Sequence, residues 1–157
     1  MELKIEVLDR KVTGAAALLG QLLIDEYVLS VRTRDARRNI NGRNITELRR
    51  LFAGHCKSLD AIVLDLTRRA RALGQPAPVT FAHSMEATRL KRHNEKFTGQ
   101  NQIIEALLED HELLIREPGN EYFAAGDELS DTRTADFISG LQSQHLEIAG
   151  ALRDWLR

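Results

Sequence analysis

The sequence predicts an all-α fold: a four-helix bundle with a short extra helix in a long crossover between the second and third long helices. Three observations predict it. Four long stretches carry apolar residues at the three- and four-residue spacing of a helix, and almost nothing alternates at the period of two that a half-buried strand shows. The connection between the second and third stretches, about twenty residues, exceeds an ordinary inter-helix loop and contains an amphipathic stretch of its own.

The first helix is expected from about Asp9 to Arg38, with Leu18, Leu22 and Leu29 on one stripe. Asn41-Gly42 ends it, because that pair favours positive φ. The second is expected from Thr46, as its cap, to Leu73, with Leu48, Leu51, Phe52, His55, Leu59, Ile62, Val63 and Leu66 in near-heptad spacing. Gly74, Pro76 and Pro78 stop it. In the crossover, Thr80 to Leu90 reads as a short helix capped by Thr80 or Ser84. The third long helix is expected over Asn94 to Glu117, ended by Pro118-Gly119. The fourth starts at Asp131 or Thr132 and carries Phe137, Ile138, Leu141, His145, Ile148, Ala149, Leu152 and Trp155 to the C-terminus.

Length and composition fit one globular domain over residues 1–157. The chain is 43% hydrophobic and 29% charged with only 10 Gly and 3 Pro, which excludes a disordered or linker-rich class. A single cysteine, Cys56, excludes an internal disulfide and a thiolate zinc cluster. No apolar run is expected to approach the roughly 18 residues that a membrane span needs, which argues against an integral membrane protein. Met1-Glu2-Leu3-Lys4-Ile5-Glu6 places charges where a signal peptide has its apolar core. The expectation is a soluble, cytoplasmic protein with no membrane partner.

The net charge of −1 hides a segregation. Val31 to Arg71 holds eleven Lys/Arg against four acids, a net +7, and Glu105 to Asp136 holds ten acids against two arginines, a net −8. Either these are two solvated helix faces, or they line separate surfaces, one inviting anions and the other cations. Neither terminus carries a basic tail of the kind that grips nucleic acid.

Several local patterns occur in a fixed order. The first helix ends in Arg34-Asp35-Ala36-Arg37-Arg38-Asn39-Ile40-Asn41-Gly42, and the second contains Leu48-Arg49-Arg50-Leu51-Phe52 and closes on Arg69-Ala70-Arg71-Ala72-Leu73-Gly74-Gln75-Pro76. Asp110-His111-Glu112, Ile115-Arg116, Asp131-Thr132-Arg133-Thr134-Ala135-Asp136-Phe137, His145 and Leu152-Arg153 follow. Together, and with the short crossover helix, they resemble the Dps family of mini-ferritins over nearly the whole chain. The resemblance implies a ferritin-like bundle assembling into a hollow dodecamer. It also implies oxidation of ferrous iron, usually by peroxide, storage of ferric mineral, and in many members DNA binding.

The family's oxidation site lies between two subunits. It takes histidines from one subunit and, from the other, an Asp and a Glu four residues apart on the second helix. That spacing puts both carboxylates on one helix face, where they converge on a metal. Here Arg37 and Arg49 stand at the two histidine positions, Leu64 and Arg68 at the Asp and Glu, and Arg38 replaces the neighbouring tryptophan. Guanidinium offers no lone pair to a metal and repels a divalent cation by several kcal/mol when poorly screened. A one-residue slip does not rescue the site, since the adjacent pairs are Asp65 with Arg69 and Asp60 with Leu64. Where the family carries acids that nucleate mineral, this chain has Ala53, Gly54, Lys57 and Ser58. Asp127, Glu128, Asp131 and Asp136 fall at or beside the motif that lines a cation-entry pore in the family. The alternative for these acids is an exposed helix N-terminus, which favours negative charge anyway.

Among the histidines, His111 and His145 are expected in bundle packing or an interface, His55 in the core, and His83 and His93 exposed. Cys56 is expected as a packed thiol. Of Arg34, Arg37, Arg38, Arg43, Arg49 and Arg68, several are expected to converge, at the subunit interface, on the position where the resemblance puts the metal. There they would pair with a neighbouring subunit's acids, such as those at Asp60 or Asp65; the alternative is an oxyanion, which guanidinium forks suit.

The expected function is a Dps-like cage subunit in iron binding or storage and stress protection, without the intersubunit ferroxidase centre. It would act alone or co-assembled with an active relative. Iron is the only cargo implied, and no organic cofactor is expected. Two alternatives stand beside it. One is a ferroxidase using a displaced site built from Asp60, Asp65, His55 or the pore acids. The other is a structural, anion-binding or DNA-binding shell without an iron role.

Overall fold

The computed structural model describes the backbone of residues 2–77, 80–93, 97, 99–125 and 132–157. Side chains are described from Gly14 onward, apart from 123–125. Among these residues there are five helices and no strand: α1 (Glu2–Asn39), α2 (Ile45–Ala72), α3 (Phe81–Ala87), α4 (Gln100–Ala125) and α5 (Thr132–Leu156). α1 packs along α2, α4 packs along α5, and α1 also meets α4 and α3. The four long helices thus form the predicted bundle, with α3 lying on α1 in the crossover.

One core runs through the bundle. α2 buries Leu48, Phe52, His55, Cys56, Leu59, Ile62, Leu66 and Ala70 at three- and four-residue steps. Leu22, Leu23, Leu29, Leu114, Leu141 and Leu152 fill the facing layers. Against the expectation, α1 is long and apolar enough by length and composition to cross a membrane: an 18-residue window within Gly14–Asn39 reaches a mean hydropathy of 1.3. That window is nevertheless packed into the bundle, 61% of it buried, and α1 carries Asp25 and Glu26 fully buried.

Several boundaries differ from expectation. α1 begins at Glu2 rather than near Asp9. α2 is capped by Asn44 in the left-handed region (φ 54°) with no side-chain cap bond, so Thr46 is not the cap. Gly42, at φ 128°, makes the turn between them. α2 ends in a Schellman motif, in which Gln75 N–H reaches the Ala70 carbonyl (2.9 Å) and Gly74 N–H the Arg71 carbonyl (3.0 Å), with Gly74 at φ 85°. α3 is shorter than expected; its cap is Thr80, whose hydroxyl accepts from His83 N–H at 3.1 Å.

The largest correction concerns α4, which starts at Gln100 and runs through Pro118-Gly119 to Ala125 instead of stopping there. The expected start, Asn94, lies outside the described residues. Packing against α5 overrides the proline. Gln142 Nε2 donates to the Ile115 carbonyl at 2.7 Å, beside the backbone bond that Pro118 cannot make. A Cβ on Gly119 would stand 2.7 Å from that same nitrogen, so the glycine admits the Gln142 side chain rather than ending the helix.

Candidate functional site

Where the last turn of α1 faces the first half of α2, an open groove of about 680 Å³ is lined by Arg34, Arg37, Arg38, Arg49, Ala53, Cys56, Lys57 and Asp60. The register explains the convergence. Residues three and four apart share a helix face, so Arg34, Arg37 and Arg38 project from one end of α1, while Arg49, Ala53, Cys56, Lys57 and Asp60 form one stripe of α2. Arg34 donates to Asp60 at 2.8 Å, and Arg38 sits 3.6 Å from Asp35. Arg37, Arg49 and Lys57 make no ion pair among the described residues. Cys56 lies at the floor. Burial pushes its thiol above the ordinary value while the Arg34, Arg37 and Arg38 guanidiniums pull against that, so it is a packed thiol rather than a nucleophile.

Of the four positions that the resemblance implies for ligands, Arg37 and Arg49 line this groove, and Leu64 and Arg68 of the same chain do not. Leu64 and Arg68 lie about 6 and 12 Å beyond Asp60 along α2, outside the groove, with Leu64 52% exposed. This donor set does not fit a metal: the groove offers one carboxylate, already held by Arg34, against five cations. Asp65 is likewise held by Arg69 of its own helix at 3.4 Å. The two acids proposed as intersubunit partners for the arginines are thus engaged within their own chain. His55 faces the core from the opposite side of α2, so Asp60, Asp65 and His55 do not gather. Among the described residues no three His, Cys, Asp or Glu side chains are placed to share an ion. Of the pore candidates, Asp136 is exposed near the start of α5; Asp127, Glu128 and Asp131 lie outside the described residues.

A second polar assembly, inside the bundle, is the part that the sequence reading missed. Asp25, fully buried on α1, accepts from Thr88 Oγ1 (2.7 Å), Arg89 N–H (2.9 Å) and Arg89 Nε (2.8 Å), which ties the crossover to α1. Arg89 also pairs with Glu121 of α4. Asp110 on α4 receives both Arg32 (2.8 Å) and His93 (3.0 Å). His93 is therefore a half-buried ligand of Asp110 rather than an exposed residue, while His83 is exposed as expected.

At the centre, Glu26, His145 and His111 form a buried chain from three helices. His145 Nε2 lies 2.5 Å from Glu26 Oε1, and His145 Nδ1 lies 2.8 Å from His111 Nδ1. One neutral assignment satisfies both contacts: His111 Nδ1–H donates to His145, and His145 Nε2–H donates to Glu26. Burial, with His145 and His55 adding to it, holds His111 well below its ordinary pKa, and burial pushes His55 down to about 4. Glu26 Oε2 has no hydrogen-bond partner among the described residues. The available signal was the Asp25-Glu26 pair within the apolar run Leu22-Leu23-Ile24 to Val28-Leu29, acids at core register that require internal partners.

A family model for the ferritin-like domain matches residues 16–157. An uncharacterized low temperature-induced protein of Nostoc sp. is 30% identical over 154 residues, spanning 98% of this chain and 86% of the relative, and a homolog from Anabaena variabilis matches equally. Dps from Thermosynechococcus elongatus superposes with a TM-score of 0.84 at 19% identity, covering 97% of this chain and 95% of that one. DpsC from Streptomyces coelicolor gives 0.86 at 20% identity, with 94% and 86% covered. Dps from Vibrio cholerae gives 0.82 at 22%, with 95% and 92% covered. At such identities these structures speak for the fold.

Proposed function

Because the chain belongs to the ferritin-like family and has the fold of the Dps mini-ferritins, we propose that it is a subunit of a hollow Dps-type particle, expected as a dodecamer, that handles iron and protects the cytoplasm under stress without the family's intersubunit ferroxidase centre. One observation carries the last clause. The four positions where the resemblance puts metal ligands hold Arg37, Arg49, Leu64 and Arg68, none of which donates an electron pair to a cation at neutral pH. The Nostoc relative is named for induction by low temperature, which fits a stress role.

In this reading, ferrous iron is cargo in transit or storage. It enters along the acids at and before the start of α5, or arrives already oxidised by an active relative in a mixed particle. The mechanism left to the chain is electrostatic: a −8 segment attracts cations and a +7 segment repels them. The test is oxidation of added ferrous iron by the purified, size-checked particle, with air and then with peroxide, against a protein-free control. The expected rate is that of the control. A saturable acceleration would overturn the reading.

A further inference from the structure

We infer that the arginine groove between α1 and α2 is a binding site for a condensed phosphate, an inorganic anion of the pyrophosphate or triphosphate class. The lining comes from one chain, the inference does not need an iron role, and it rests on the proposed particle leaving the groove uncovered by a second copy.

Charge selects the class first. The lining carries Arg34, Arg37, Arg38, Arg49 and Lys57 against Asp60 alone, and Arg34 consumes Asp60. Arg38 has Asp35 at 3.6 Å, a loose pair exposed on both sides. Three cations, Arg37, Arg49 and Lys57, remain without an acid among the described residues. Concentrated like charge on one concave surface raises the local concentration of a multivalent counter-ion far more than that of a monovalent one. Guanidinium forks match tetrahedral oxyanions in two-point contacts, and the lysine adds a mobile point charge.

Shape and chemistry narrow it further. A volume of about 680 Å³ lies within the roughly 300–1,000 Å³ of small-molecule sites and exceeds what one orthophosphate fills. No aromatic side chain lines the groove, and its only uncharged contributors are Ala53 and Cys56, so it offers a nucleobase no apolar slot. The cations come from two packed helices, the end of α1 and the first half of α2, so an anion in the open groove meets them from both sides. The acids that would have made this a structural cluster, Asp60 and Asp65, are engaged at 2.8 and 3.4 Å within the chain.

The test is calorimetric titration of the intact particle with sodium triphosphate, with orthophosphate and a short DNA duplex as separate arms, at 50 and 200 mM NaCl. Saturable triphosphate binding is expected, weaker for orthophosphate and weaker at the higher salt. Arg37→Ala and Arg49→Ala should each weaken triphosphate by about tenfold, the usual effect of losing one hydrogen bond to a charged group. Arg50→Ala, which removes the exposed neighbour outside the groove, should change it less than about twofold. Arg49→Lys, which keeps the charge but loses the fork, should fall between. Each variant is sized by light scattering, so a failure to assemble is distinguished from a loss of binding. Absence of saturable heat with the assembled particle would overturn the inference, because the groove would then be covered by a second copy. So would an equal loss in Arg50→Ala, or duplex DNA binding through the same residues without triphosphate binding.

Discussion

The bundle core and the groove at its end handle charge in opposite ways. In the core each buried acid among the described residues meets a partner from another part of the chain: Asp25 takes Arg89 and Thr88, Asp110 takes Arg32 and His93, and Glu26 takes His145. In the groove five cations share one acid. Buried charge without a partner is too unfavourable to persist, so the core's charges are closed internally and act as structure. Cations at an exposed surface face no such demand. Leaving three of them without acids is tolerated by the fold and becomes useful only when an anion arrives. Charge that the fold has closed holds helices together, whereas charge left open is available to a ligand.

The largest effect expected from this contrast is in the core. Asp110→Ala would strand Arg32 and His93 in half-buried positions, and breaking such a pair from one side typically destabilises by about 3–5 kcal/mol. For a chain of this length that is a fall in Tm on the order of 10 °C, readable by circular dichroism. A fall of only a degree or two would mean that Asp110 is a surface charge in solution, and the contrast would fail.

An intermediate effect follows from the core histidines. His55, held at about 4, and His111, held below its ordinary value, are neutral in the fold, while in the unfolded chain each takes up a proton near 6.5. The unfolded state therefore binds more protons below about pH 6.5, and stability falls as the pH drops through that value towards 4. The limiting slope is about 1.4 kcal/mol per pH unit for each histidine. Urea midpoints at pH 7.5, 6.5 and 5.5 should decline accordingly. His55→Leu should flatten part of that decline, and Arg37→Ala should leave it unchanged. A midpoint that does not move between 7.5 and 5.5 would show that these rings are reached by solvent.

How much of this was legible in the sequence follows the same division. The bundle, the crossover helix and the stop at Gly74 were legible because helical spacing and Gly/Pro punctuation are local signals. The groove was half legible: the run of arginines that includes Arg37 and Arg49 is in the sequence, but the Arg34–Asp60 pairing depends on how α1 lies on α2. Continuation of α4 through Pro118 was not legible, since Gln142 comes from another helix and its approach depends on Gly119 lacking a Cβ. Nor was the Glu26–His145–His111 chain, which needs three helices in register. Long-range partners decide these cases, and periodicity carries no information about them.

The smallest effect is the sharpest test of the contrast, because its sign differs between the two regions. Arg37→Ala combined with Arg49→Ala removes two cations that no described acid compensates, so no partner is orphaned and some like-charge repulsion is relieved. Stability should stay level or rise by about 0.5 kcal/mol at low salt, within the usual range for surface substitutions. Because exposed charges a Debye length of about 10 Å apart are screened at 0.1 M salt, the gain should vanish at higher ionic strength. Adding triphosphate should raise the Tm of the wild-type chain by mass action and leave the double variant's unchanged. Thermal melts across a salt series, with and without the anion, read all three at once. A loss of several degrees in the variant at every salt concentration would mean that these arginines are closed by partners in the assembled particle, as Arg32 is by Asp110. The groove would then belong with the core as structure.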